Sequence, residues 1–240
     1  MKKYIVILIF ALGFIACKDK TDKAREIVDK SIEAHGGKSY EKFTTEFDFR
    51  KFHIKLMQNE GKFQYERISK DSANNEVWDI LNNEGFLRII NGNQVTLSEK
   101  DITKYTNAVN SVAYFVLLPH KLKDKAVNLE YLGETEIDKQ KYDKVKVWFD
   151  KEGGGKDFED VYCYWFNQKT HLVDYLAYAN GGPRFRRVKN RKTVGGIVFQ
   201  DYENFAITDT TIQAQEYDKA FIAGKDSLLS LIEQKNIAVK

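Results

Sequence analysis

The chain is poor in residues that build cross-links, metal centres and backbone breaks. It has two cysteines, two prolines and four histidines among 240 residues. Cys17 and Cys163 alone cannot make a disulfide framework or a cysteine-based metal cluster. His35, His53, His120 and His171 form no HExxH or other close ligand pair, so no metal and no cofactor is expected. No GxSxG elbow accompanies His35-Gly36-Gly37, which removes the motif basis for an esterase. The formal net charge is only +3, and without Lys2 and Lys3 it is about +1. No global field favours nucleic acid, which is not expected as a partner. The apolar run Tyr4–Ala16 is 13 residues long, short of the about 20 that a membrane-spanning helix needs.

What is present begins with that run. Lys2 and Lys3 precede it, the small Ala16 closes it, and charge follows at Lys18, Asp19 and Lys20. This order is that of a secretory signal peptide. Phe14-Ile15-Ala16-Cys17 resembles the lipobox of bacterial lipoproteins, with Phe14 where that motif usually carries Leu. The resemblance implies cleavage just before Cys17, a diacylglycerol on its thiol and an acylated amino group. The membrane would then be a partner through Cys17, since each buried acyl CH₂ contributes about 0.8 kcal/mol and more than one chain makes an anchor stable. Cys163 would be left without an intramolecular partner. The polar KDKTDK after Cys17 reads as a tether. It also resembles the surface-export signals of Bacteroidota lipoproteins. The expected organisation is residues 1–16 signal peptide, 17–23 lipidated cysteine and tether, and 24–240 a single domain, a length suited to one large core.

Within that domain, Asp22 to His35 has apolar residues recurring at three and four, and Gly36-Gly37 ends the pattern. The spacing predicts an amphipathic helix with a glycine stop. At its C-terminus an imidazolium at His35 would suit the helix dipole. Phe47 and Phe49 then lie on one parity and Phe52, Ile54 and Leu56 on the other, which predicts a β-bulge near Arg50-Lys51. Further strands are predicted at Val77–Leu81, Phe86–Ile90 and Val95–Leu97, separated by Asn/Gly hairpin turns. Ser98 to Asp101 has capping-box spacing, and the apolar residues from Ile102 to Val116 keep helical spacing up to Pro119. Strands resume from Val127 and run to Ile212–Tyr217, and Lys225–Lys235 is predicted to be a closing helix. Roughly ten sequential antiparallel strands with two or three helices suggest one large curved sheet.

This layout resembles the LolA and LolB type of lipoprotein carriers of the bacterial envelope. Several stretches also resemble uncharacterised Bacteroidota lipoproteins of that layout: the helix ending in His35-Gly36-Gly37, LEYLGETEIDKQKYDKVKVWF from Leu129, NQKTHLV from Asn167, and KTVGGIVF from Lys192. The resemblance covers roughly residues 24 to 220. It implies an α+β, mainly antiparallel β fold: a LolA-like half-barrel with an N-terminal helix and an inserted helix on its concave side. It further implies a cavity for acyl chains. It transfers no functional residue.

The candidate site residues come from two places. The inserted helix is apolar all round near its end, where Tyr114 to Leu118 carry five consecutive apolar residues. One face can meet the sheet and the other needs a second partner, either a covering loop or an apolar ligand. Tyr105, Val109, Val112, Phe115 and Val116 are the candidate ligand wall. Arg184, Arg186 and Arg187 open the densest basic run and are candidates for anionic head groups, although strand alternation splits them across two faces. Asp157, Glu159 and Asp160 read as a solvated loop, and Cys163 as a buried thiol. Three functions remain open: a non-catalytic binder of an apolar or lipidated ligand, a structural or partner-binding envelope module with a filled cavity, and an enzyme whose site is assembled from distant strands.

Overall fold

A computed structural model describes residues 12–155 and 158–240, with side chains from Lys20 onward. Residues 1–11 of the expected signal peptide and the Cys17 side chain lie outside the described residues, as does Asp157. Helix α1 spans Leu12–His35, so the segment read as a tether continues the helix. Ala24, Ile27, Val28, Ser31, Ile32 and His35 form its buried stripe. That stripe packs on strand β7 (Val127–Ile137).

Among the described residues the strands form two antiparallel sheets of seven. The first is built from β1 (Lys42–Phe49), β2 (Phe52–Asn59), β3 (Lys62–Lys70), β4 (Glu76–Asn82), β5 (Gly85–Ile90) and the short β6 (Asn93–Gln94). The second is built from β7, β8 (Gln140–Phe149), β9 (Tyr162–Asn167), β10 (Val173–Tyr178), β11 (Arg184–Val194) and β12 (Ile197–Ile207). Each run is a meander of hairpins, so neighbours in the chain are neighbours in the sheet. Two further strands complete them. β13 (Asp226–Ile232) pairs with β12, and β14 (Gln234–Val239) pairs with β1. Only Glu233 separates these two strands, so one stretch of chain ties the sheets into a single curved wall. The result is a LolA-like half-barrel.

Helix α2 (Glu99–Val116) is inserted between the two meanders and packs on β3, β4 and β5. Ser98 caps it by accepting from the Asp101 backbone N–H at 3.2 Å. Val109, Ala113 and Val116 of α2 join the α1 stripe and the inner faces of both sheets in one core. A second, smaller core lies on the other face of the second sheet. There Cys163, Trp165, Tyr175 and Phe185 are covered by Ala214, Tyr217 and Ala220.

Four of the expected strand, bulge and helix assignments after α1 differ from the structure. Arg50-Lys51 is a hairpin turn between β1 and β2, with Phe49 opposite Phe52, so the parity change marks two strands and not one bulged strand. Val95–Leu97 lies outside β6 and is irregular. Ile212–Tyr217 is a 3-10 turn (Ala214–Glu216) leading into α3 (Tyr217–Ile222). Lys225–Lys235 is strand: Leu228, Leu229 and Ile232 fit helical spacing, but β12 offers an unpaired edge that the segment completes.

Two of the glycine pairs noted in the sequence meet in space. Gly36 has φ 144°, and a Cβ there would come within 2.7 Å of the Gly196 carbonyl oxygen. The end of α1 can therefore seat against the β11–β12 turn only if residue 36 has no side chain. His35 is consequently buried and not solvated. Its Nδ1 lies 2.8 Å from the Ser31 carbonyl oxygen, and burial lowers its pKa to about 4. The expected imidazolium at the helix end is therefore a neutral imidazole, because desolvation outweighs the helix dipole.

Candidate functional site

The two halves of α2 meet different surroundings. In its N-terminal half, the Tyr105 ring stacks on Phe86 at 6.3 Å between centroids, with the Arg88 guanidinium 3.3 Å from the ring centre. Arg88 and Arg67 both donate to the buried Asp79, at 2.6 and 2.7 Å. One carboxylate thus holds two guanidinium groups, and one of these holds Tyr105. This end of the concave face is filled.

The C-terminal half borders a cavity of about 490 Å³. Val112, Tyr114, Phe115 and Leu118 form the helix side. Tyr162 and Tyr164 of β9, Leu176 and Tyr178 of β10, and Arg186 of β11 form the sheet side. Phe49, Arg50 and Ile232 contribute from the seam where the two sheets join. The rim includes Gly154, Gly155, Asn180 and Gly181. The volume lies in the range of about 300–1,000 Å³ that holds one small molecule.

Aromatic edges run round the wall. Tyr114 meets Phe149 at 5.9 Å, Phe149 meets Tyr162 at 5.9 Å, and Tyr162 meets Tyr178 at 5.6 Å. Phe115 meets Tyr202 at 5.1 Å behind them. Burial pushes the Tyr114 and Tyr164 hydroxyls far above the usual tyrosine range and Tyr202 up to about 12. These phenols stay neutral at any physiological pH, so they can donate hydrogen bonds but cannot serve as phenolate bases. Among the described residues no group of three or more His, Cys, Asp or Glu side chains is arranged to hold a metal ion.

The sequence-derived wall divides. Val112 and Phe115 line the cavity. Val109 and Val116 do not: at 3% and 5% exposure they are buried in the core. Tyr105 belongs to the clamp at the filled end. The three arginines also divide. Arg186 lines the cavity. Arg184 donates to the Pro183 carbonyl oxygen at 2.9 Å, in the β10–β11 turn. Arg187 points to the opposite face, pairs with Glu203 at 2.6 Å and lies over Phe205 and Phe221. Asp160 lines the cavity, and Glu159 is exposed. Tyr114 belongs to the apolar run marked in the sequence, whereas Tyr162, Tyr164 and Tyr178 were not singled out there. Their signal was the alternation in VYCYWF, where Tyr162 and Tyr164 take the face opposite Cys163 and Trp165.

No described helix is long and apolar enough to cross a membrane. Among solved structures, the chain is similar to a LolA superfamily protein from Nitrosomonas europaea, at 8% identity and TM-score 0.50, over 90% of this chain and 92% of that one. It is also similar to a DUF1329 family protein from Desulfovibrio piger, at 8% identity and TM-score 0.40, over 91% and 92% of the two chains. A domain described as outer-membrane lipoprotein-sorting, from Vibrio parahaemolyticus, matches at 9% identity and TM-score 0.42, over 86% and 99%. At such identities the first likeness is one of fold. No curated protein matches the chain in sequence. A family model does match residues 2–234, and the chain belongs to that family, DUF6503, described as a family of unknown function.

Proposed function

We propose that this chain is an exported, lipid-anchored protein of the cell envelope that binds an apolar or lipidated ligand without catalysing a reaction. The observation that carries the reading is the aromatic cavity of about 490 Å³ beside the C-terminal half of α2. It is a partly open, mainly apolar cleft whose volume suits one small molecule. Its wall offers apolar surface and neutral phenols, which suits an acyl chain and supplies no nucleophile–base pair. The half-barrel supports the reading by leaving one end of its concave face unplugged. The attachment rests on the sequence alone: an apolar run that stops at Cys17, followed at once by charge.

Native mass spectrometry of the full-length protein, exported in a bacterial host and transferred to lipid-free buffer, tests the binding reading. A stoichiometric adduct of lipid mass, beyond the covalent anchor, is expected. A protein that stays bare, and also takes up no added acyl probe, would move the function to the structural or partner-binding module. The attachment has its own test. Cys17→Ala should abolish incorporation of a fatty-acid label and shift the protein out of the membrane fraction. Label retained by the variant would refute lipidation at Cys17.

A further inference from the structure

The half-buried arginines of this chain have partners of three kinds. Arg67 and Arg88 share Asp79, and Arg187 pairs with Glu203. Arg184 gives its donors to the carbonyl oxygens of Pro183 and Gly181 in its own turn. Arg186 differs. Its guanidinium carbon lies 4.8 Å from the Phe115 ring centre and 5.0 Å from that of Tyr178, so two rings of the cavity wall hold it. Nη2 donates to the Tyr178 hydroxyl at 2.7 Å, and Nε reaches the Asn204 side-chain oxygen at 3.4 Å. A guanidinium carries five N–H donors, and only these two bonds engage them among the described residues. No described carboxylate lies within ion-pair distance of it. Asp160, the carboxylate of the cavity wall, is instead reached by the Tyr162 hydroxyl at 3.5 Å.

A cation held in an aromatic cavity with donors to spare is an anion site awaiting its anion. The guanidinium is partly buried, and its remaining N–H donors can make charge-assisted bonds to an oxyanion, which are stronger than bonds between neutral groups. Arg50 adds a second guanidinium at the rim, so the described cavity wall carries two arginines against one aspartate. We infer that the ligand is a single small amphiphile with an anionic head, a carboxylate or a phosphate monoester. Its head is held by Arg186, and its chain lies against Phe115, Leu118 and Leu176. The cavity volume supports one such molecule. The planar fork of Arg186 matches either oxyanion in bidentate fashion, and its fixed position between two rings lowers the entropy lost on binding. This inference rests on the ligand-binding reading above and adds the sign and position of the head group.

The test is a calorimetric titration of the full-length protein in lipid-free buffer with three probes that share a chain: hexadecanoate, monohexadecyl phosphate and methyl hexadecanoate. The wild-type protein should bind at least one of the two anions about tenfold to a hundredfold more tightly than the neutral ester. Preference for the phosphate would point to a lipid head group, and preference for the carboxylate to a free fatty acid. Arg186→Gln should remove the preference, so that anions and ester bind with equal affinity, while Arg186→Lys should keep part of the preference. Equal affinity of the wild-type protein for ester and anions would overturn the head-group inference and leave the binding reading standing. Failure of all three probes to bind would overturn both. The comparison of probes on wild-type protein needs no variant, so misfolding of Arg186→Gln would not remove the test.

Discussion

The two halves of α2 show what a half-barrel can do with one helix. The N-terminal half is anchored: Tyr105 lies between Phe86 and Arg88, and Asp79 neutralises two arginines at its base. The C-terminal half borders the cavity, and Arg186 in its wall has aromatic neighbours and, among the described residues, no carboxylate within ion-pair distance. Both ends use the same residue types, aromatics and arginine on strands. The difference is one buried acid. With Asp79 the cluster is complete and serves as a clamp. Among the described residues the other end has no acid that pairs with Arg186, and this is the end for which ligand binding is proposed.

The largest expected effect breaks the anchored end. Asp79→Ala would leave Arg67 and Arg88 half-buried and unpaired, and should cost about 3–5 kcal/mol of stability, read as a lower urea midpoint. A loss under about 1 kcal/mol would show that the clamp does not hold α2.

Next comes the pH dependence at the end of α1, outside both halves of α2. Burial lowers the pKa of His35 to about 4 from an ordinary 6.5. The unfolded chain therefore takes up this proton first as the pH falls. The stability contributed by neutral His35 is present in full above pH 6.5 and is lost between there and about pH 4, by about 3 kcal/mol. Burial lowers the pKa of His120 as well, which acts in the same direction. Urea unfolding at stepped pH should show this decline, and His35→Gln should flatten it. An unchanged slope in the variant would assign the decline to other groups.

The smallest effect on stability, and the sharpest on binding, comes from filling the open end. Val112 lines the cavity, so Val112→Trp should cost no more than about 1–3 kcal/mol of stability while abolishing uptake of an acyl probe. Undiminished binding would place the ligand elsewhere.

Much of this was legible in the chain. Hairpin turns, the Ser98 cap and the alternation of apolar residues are local signals, and they set most strands and α2 within a few residues. The candidate site was legible in part. The excess of apolar surface at Tyr114–Leu118 marked the right segment, but residue type could not show which side chains meet core and which meet space. Val109 and Val116 are as apolar as Val112, yet they are buried among residues of both sheets. Arg184, Arg186 and Arg187 are neighbours in sequence, and only the fold shows that Arg186 enters the cavity.

The sequence by itself determined the local periodicities, the stops at Gly36-Gly37 and Pro119, and the boundary at Cys17, because each depends on residues a few positions apart. Tertiary structure decided what depends on partners distant in sequence. The stretch Asp226–Val239 is strand because β12 and β1 present edges to it, although its leucines also fit a helix. His35 is neutral because Gly36 lets it seat against a turn some 160 residues away. The cavity exists because strands from the second meander continue beyond the end of a helix anchored on the first.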